Sequence, residues 1–287
     1  MLPRHRVLIH CWGGYGSQLL ALALYIDLRA IYPKRKFGIV FHTSGVTRRT
    51  IEIKQYLNNC EYTQIDDFIA FRSSIKKRDF FRSMFKKFLI STGLIVTDHR
   101  LEKAPRILPW TIALRGHYLY RPISEKVLSQ FTQFLLKGEA STNMPSIFIH
   151  YRLGDLISLH DKTFIHPMNI TRLIDEFSEN FDSSHVVIGT ENPSTAKKLL
   201  SNNKILREAR YANFNPDQTL QIGMNASYFI GTNSKLSLWI SLLRANFGKK
   251  SLMPEEFRET LKYTFGDNVN SRIGFYSSTN QKVLGSL

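Results

Sequence analysis

The chain is poor in cysteine. Its 287 residues include only Cys11 and Cys60, too few for a disulfide framework, and no Cys/His spacing has the form of a zinc site. Two reduced thiols in a cytosolic setting are expected. Long apolar runs are missing as well: the longest, residues 19–26, has eight residues, against the ~20 that span a bilayer. The N-terminal MLPRHRVLIHCWGG carries basic residues, but its apolar stretch is too short for a secretory signal. A soluble, cytoplasmic protein without an anchor of its own is expected. There is no internal repeat, no low-complexity tract and no DxD motif. Acids are scarce: 23 Asp and Glu against 39 Lys and Arg leave a net charge of +16. Such a surface attracts phosphate-rich partners, namely nucleic acid, anionic lipid or a nucleotide-linked substrate. The bases are spread along the chain and no RNA- or DNA-binding module is present, so nucleic acid is not the expected partner.

What is present is enough for a folded core, with 43% hydrophobic and 12% aromatic residues. At about 150 residues per domain the length fits one large or two medium domains. Residues 6–11 read as a strand, 13–16 as a glycine turn, and 19–26 repeat apolar residues at helical spacing. Residues 37–41 read as a strand buried on both faces, as parallel strands are. Residues 50–71 read as mixed short elements, and 137–145 as a small, polar linker. In the second half, 146–151, 184–189 and 228–231 read as strands, while 194–200, 218–224 and 235–245 read as helices. Alternating strands and helices predict a parallel sheet with helices on both faces. Two α/β domains, 1–140 and 141–287, are expected, and a cleft between such domains is a default ligand site.

Residues 72–91 stand apart. Arg72, Lys76, Lys77, Arg78, Arg82, Lys86 and Lys87 face one acid, Asp79, and Phe81, Met84, Phe85, Phe88 and Leu89 share one helical face. This pattern is a basic amphipathic helix. It fits either a helix docked on an anionic membrane surface or a domain helix with a solvated basic face.

Three strand-to-helix turns could hold a phosphate. Gly13-Gly14-Tyr15-Gly16-Ser17-Gln18 combines glycines with a helix N-terminus, although a tight packing turn would use the same residues. His150-Tyr151-Arg152-Leu153-Gly154-Asp155 places an Arg beyond a strand end, where open α/β sheets bind ligands; a buried His with an Arg–Asp pair is the alternative. Thr232-Asn233-Ser234, with Ser237 and Trp239 following, suits a phosphate or sugar, or simple N-capping.

In this order the motifs resemble the α-1,2-fucosyltransferase family of bacterial surface-polysaccharide enzymes, within the fucosyltransferase superfamily. The family's opening G-G-L-G-N-Q turn is similar to Gly13-Gly14-Tyr15-Gly16-Ser17-Gln18, and its H-x-R-R-x-D to His150 through Asp155. A middle G-Y stretch is similar to Arg115-Gly116-His117-Tyr118-Leu119, its N-S-S/T-F-S-W-W to Asn233 through Trp239, and its acidic turn to Thr190-Glu191-Asn192-Pro193. Leu153 stands where the family has its second Arg, Tyr15 and Ser17 replace Leu and Asn, and Leu238 replaces one Trp.

The resemblance implies the GT-B fold, two Rossmann-like domains facing across a cleft. It implies metal-independent, inverting transfer, with no cofactor beyond a nucleotide-sugar donor, GDP-fucose, and a glycan acceptor, lipid-linked in O-antigen or capsule assembly. Another nucleotide sugar on the same scaffold, or a non-catalytic glycan-binding relative, is the alternative. The donor's diphosphate would meet Arg152, with His150 on a phosphate or the sugar. Gly14, Gly16, Gln18, Asp155, Thr190, Glu191, Asn233, Ser234 and Ser237 would complete the donor site, Asp155 orienting Arg152. His42 or Asp27 is a candidate base. The loop His42, Thr43, Ser44, Arg48 and Arg49 suits an acceptor or donor diphosphate, or is an exposed basic loop.

Overall fold

A computed structural model describes residues 6–44, 48–67, 80–97, 107–119, 123–136, 144–154, 164–177, 185–265 and 272–277. Asp155, residues 72–79 of the basic segment and 137–143 of the linker lie outside them. The chain divides into two compact units, Met1–Phe131 and Thr132–Leu287. Each is a parallel sheet with helices packed against it, the pair of Rossmann-like α/β units expected of the GT-B class.

The first unit begins with β1 (Val7–Trp12), α1 (Tyr15–Ile31) and β2 (Phe37–His42). It continues with β3 (Tyr62–Ile65), α2 (Phe80–Ser91), β4 (Ile95–Thr97), β5 (Ala113–Arg115) and α3 (Glu125–Leu136), the last of which crosses into the second unit. The strand order is β3-β2-β1-β5-β4. In β1, Val7, Ile9 and Cys11 are buried, while Leu8, His10 and Trp12 on the opposite face are half-buried. The Cys11 thiol reaches Ser17 O of α1 at 3.6 Å, so the Cys11 face is the one α1 covers and His10 and Trp12 point away from it. Gly13 makes the turn into α1 with φ +109°, and a Cβ there would lie 2.8 Å from Ser17 Oγ.

The second unit runs β6 (Ile147–His150), α4 (Pro167–Phe177), β7 (Val186–Gly189), α5 (Pro193–Leu200), α6 (Lys204–Glu208) and β8 (Arg210–Ala212). It then runs α7 (Pro216–Asn225), β9 (Tyr228–Gly231), α8 (Lys235–Asn246), β10 (Ser251–Pro254), α9 (Arg258–Phe265) and β11 (Ile273–Tyr276). The order β11-β10-β9-β6-β7-β8 makes β6 the first strand from which the chain winds outward on both sides. This is the doubly wound order, and its direction reverses between β6 and β9. Pro and Asn begin the helices: Asn192, Asn203 and Asn215 cap α5, α6 and α7.

One arginine holds the second unit's interior. Arg244 of α8 is fully buried, and its guanidinium donates to the carbonyls of Gly223, Met224, Ala226, Ser227 and Lys250 at 2.7–3.2 Å. Those oxygens include ones that α7's end leaves without intrahelical partners. Burial lowers the Arg244 pKa to about 10, so the side chain stays charged at neutral pH.

Candidate functional site

At the reversal point of the second sheet, the strand ends of β6, β7 and β9 lie side by side. His150 pairs in register with Gly189 on one side and Gly231 on the other. One hydrogen-bond network closes this edge. Thr232 Oγ1 donates to His150 O at 2.7 Å and accepts the N–H of Arg152 at 2.9 Å. Ser237 Oγ accepts the N–H of Thr232 at 3.3 Å and lies 2.8 Å from His150 Nδ1. In that second contact the Ser237 hydroxyl donates or accepts according to the His150 tautomer. His150 is buried and its pKa is pushed down to about 4, chiefly by that burial; Arg152 adds to the effect and Glu191 opposes it. At pH 7 it is neutral.

Gly231 lets this happen. A Cβ there would sit 2.8 Å from Ser237 Cβ and 2.4 Å from Met253 Sδ. The Tyr276 hydroxyl donates to Gly231 O at 2.8 Å, pinning the end of β9 from the far strand. Ser234 caps α8 by accepting the N–H of Leu236 at 3.1 Å, and Asn233 beside it is half-buried.

Arg152 is 27% exposed at its side chain, and its Nε lies 3.9 Å from Glu191 Oε1. The other Glu191 oxygen accepts the N–H of Leu153 at 3.2 Å. Glu191, after β7, is thus the described acid beside Arg152, and Thr190 before it is buried. Leu153 is fully buried in the core around β6, as Leu238 and Trp239 are in the packing of α8. The family's second Arg therefore has no counterpart facing solvent at position 153. The structure brings together Arg152, His150, Ser237, Asn233, Ser234, Thr190 and Glu191.

The first unit uses its motif residues differently. Gln18 is 2% exposed. Its amide donates to Gly13 O and Thr50 O and accepts the N–H of Glu52, which fastens the 50–52 segment to the turn. The Glu52 carboxylate accepts the N–H of Tyr15 at 2.9 Å, so the N-terminus of α1 already holds an anion. Gly14 and Gly16 belong to this turn, and Gly14 faces Arg49 and Glu52. Asp27 is buried in α1 and accepts a hydrogen bond from Ser124, next to α3.

Of the 42–49 loop, Thr43 and Ser44 are each 1% exposed. Thr43 Oγ1 donates to Asp66 and the N–H of Ser44 to Asp67 Oδ1, while Arg48 pairs with Asp66. Thr43 and Ser44 are thus held inside by the Asp66 and Asp67 carboxylates, while Arg48 is exposed and Arg49 half-buried.

His42 belongs to a cluster that sequence reading missed. In register, Trp12 pairs with His42 and His10 with Arg115. His42 stacks on Trp12 with ring centroids 4.3 Å apart, and the Arg115 guanidinium lies 5.8 Å from the Trp12 ring centre. His42 Nδ1 is 2.7 Å from Asp67 Oδ2, and His42 Nε2 is 2.8 Å from His10 Nδ1. The alternation of β1 was a signal for His10 and Trp12; Asp67 gave none, because its place depends on β3 pairing with β2.

No protein-family model matches the chain, and no curated protein matches its sequence. Among solved structures, the chain is similar to an E. coli heptosyltransferase, WaaC, bound to ADP: 14% identity over 94% of this chain and 92% of that one, with a TM-score of 0.49. A glycosyl transferase of family 9 from Veillonella parvula gives 10% identity over 98% and 89%, with a TM-score of 0.45. The α-1,6-fucosyltransferase NodZ with GDP-fucose gives 9% identity over 83% and 92%, with a TM-score of 0.39.

Proposed function

We propose that the chain is a glycosyltransferase that takes a nucleotide-sugar donor, most specifically L-fucose from GDP-fucose, and delivers the sugar to a hydroxyl of a bacterial surface glycan. The observation that carries this reading is the convergence of Arg152, His150 and the Ser234-capped start of α8 on one strand-end edge at the reversal point of the second sheet. A diphosphate suits that edge: a guanidinium and helix N–H groups present positive charge and donors there, with the His150 imidazole beside them. The fucose assignment rests on the order of the sequence motifs.

In such a transfer the acceptor oxygen bonds to the anomeric carbon as the bond from that carbon to the phosphate oxygen breaks. The electron pair leaves with the nucleoside diphosphate, and the hydroxyl proton goes to a base. Arg152 would stabilise the charge growing on the diphosphate. His150 would hydrogen-bond a phosphate or the donor sugar. Glu191 would hold the arginine toward the ligand.

The acceptor is proposed to be lipid-linked, with α2 resting on an anionic membrane surface. Met84, Phe85 and Phe88 of α2 are 55%, 62% and 57% exposed, Lys87 is exposed beside them, and Trp110 (54% exposed) is tied to Thr92 O just past the helix end. Exposed apolar side chains beside Lys87 match a negatively charged lipid interface. No helix among the described residues is long and apolar enough to cross a membrane.

The test is a thermal-shift panel of GDP, UDP, ADP, CMP and their sugar conjugates on the purified full chain. GDP and GDP-fucose should raise Tm, and Arg152→Ala should abolish the rise while keeping the unliganded Tm. A preference for UDP or CMP would overturn the fucose assignment. A wild-type chain that no nucleotide stabilises would overturn the transferase reading.

A further inference from the structure

We propose that the first unit holds an oxyanion site of its own, in which the Arg115 guanidinium at the end of β5 takes the carboxylate or phosphate of a small organic acid beside Trp12 and His10. The site lies wholly within the first unit and stands apart from the transferase reading. Its basis is a half-buried arginine that the described residues leave without an oxygen to bond.

A guanidinium stays charged and offers five donors and no acceptor. Arg115 Nε is buried and has no hydrogen-bond partner. No carboxylate among the described residues pairs with the group; it lies instead 5.8 Å from the centre of the Trp12 ring. Arg35 in the same unit shows the usual arrangement, donating to the carbonyls of Leu108 and Thr111. The acids near the strand ends are engaged elsewhere. Asp66 takes Thr43 and Arg48, Asp67 takes His42 and the Ser44 N–H, and Glu52 takes the Tyr15 N–H. A charged donor shut off from water and left unbonded is costly, and it is kept where something outside the chain completes it.

The surroundings favour an anion. His10 pairs in register with Arg115, and His10 and Trp12 share the face of β1 turned away from α1. Burial first, then Arg115 and His42, lower the His10 pKa to about 4, so at pH 7 it is neutral and Arg115 supplies the charge. The geometry is set before any ligand arrives. Tyr118 is buried with φ +57°, a left-handed conformation that a bulky side chain holds only when its surroundings enforce it. Its hydroxyl bonds His10 O at 2.6 Å and Leu114 O at 3.0 Å, which locks the end of β5 to β1. Such fixing lowers the ordering cost of binding. A carboxylate or a phosphate presents two oxygens to the guanidinium fork. Half-buried Trp12 puts apolar surface next to the charge, which favours an anion carried on an organic frame, such as a sugar acid or sugar phosphate, over a bare ion.

The test uses the full chain carrying Arg152→Ala, so that oxyanions drawn to the second unit do not register. The probes are glucuronate, glucose 6-phosphate, inorganic phosphate and uncharged glucose. Glucuronate or glucose 6-phosphate should bind saturably by calorimetry and shift the Arg115 Nε–H resonance of ¹⁵N-arginine-labelled chain, while glucose does neither. The tighter of the two acids tells whether a carboxylate or a phosphate is the preferred group. Adding Arg115→Gln should weaken that binding about tenfold or more, and Arg115→Lys should recover only part of it, since it keeps the charge without the fork. The unliganded Tm of the Arg115→Gln chain should stay within about 3 °C of its parent, because no hydrogen bond is lost. Absence of saturable binding by either acid, or equal binding with and without Arg115, would overturn the proposal. A larger fall in Tm would do so too, by showing that the fold already uses the guanidinium's donors. Binding of inorganic phosphate alone would mean an adventitious ion only and would remove the organic ligand.

Discussion

Thr232 and Arg152 are 80 positions apart in the chain, and one hydroxyl joins them: Thr232 Oγ1 accepts the Arg152 N–H at 2.9 Å while donating to His150 O at 2.7 Å. A fully buried threonine thus sets where the arginine leaves β6. Thr232→Val keeps the shape and removes both bonds, stranding a buried donor and acceptor at a cost of about 1–3 kcal/mol. Urea unfolding should report that loss, and calorimetry should show weaker GDP binding.

Gly231→Ala should be worse for function than for folding. The new methyl group meets Ser237 Cβ at 2.8 Å and Met253 Sδ at 2.4 Å. The methionine can turn away, whereas Ser237 is fixed on α8 and would shift from His150. We expect about 1–3 kcal/mol of overpacking cost, together with weaker nucleotide binding, read by Tm and by titration of the same preparation.

Acid should destabilise the second unit through His150. Its folded pKa is depressed from 6.5 to about 4, so the unfolded chain binds more protons between those values. The stabilisation is full above about pH 6.5 and is lost as pH falls through 4, with a ceiling near ~3 kcal/mol. Urea midpoints of wild type minus those of His150→Gln should shrink across that window; a constant difference would refute it.

Arg244→Met removes the guanidinium's hydrogen bonds to five carbonyls, of which Met224 O keeps a second donor in Lys249 Nζ. The expected loss is at least about 3 kcal/mol. Arg244→Lys should recover only part of it, because one ammonium cannot match the spread of a guanidinium. Circular-dichroism melts of the two variants check the order.

The α2 surface predicts lipid-dependent sedimentation. Vesicles containing phosphatidylglycerol should pull down the chain, neutral vesicles should not, and Phe85→Ser with Phe88→Ser should weaken the binding about 100-fold or more, since each buried ring contributes roughly 1.5–3 kcal/mol. Equal binding to both vesicle types would remove the charge argument.

Much of the layout was legible in the sequence. Strands such as β2 and β6 are short apolar runs buried throughout, and the Gly13-Gly14 turn marks the entry to α1. β3, with all four residues exposed, and the three-residue β4, β5 and β8 carry too little pattern to read. The second unit's edge was legible where one segment held its chemistry, as in His150 with Arg152. The role of Glu191 beside Arg152 needed the pairing of β6 with β7. The His10–His42–Asp67 series needed the register of three strands, which no local spacing encodes. Gln18 has motif-like neighbours, yet its amide ties down the 50–52 segment, a distinction only tertiary contacts make.

The acceptors of Arg244 also bear on how the second unit folds. All lie 6 to 21 positions from it, so the loops that must close are short and their entropy cost is small. The stretch 223–250 can therefore wrap its guanidinium during synthesis without waiting for β11, whose Tyr276 reaches Gly231 across 45 positions. Amides around Arg244 are expected to be the first protected in pulsed hydrogen exchange, with the end of β9 locked only when the chain's last strand arrives.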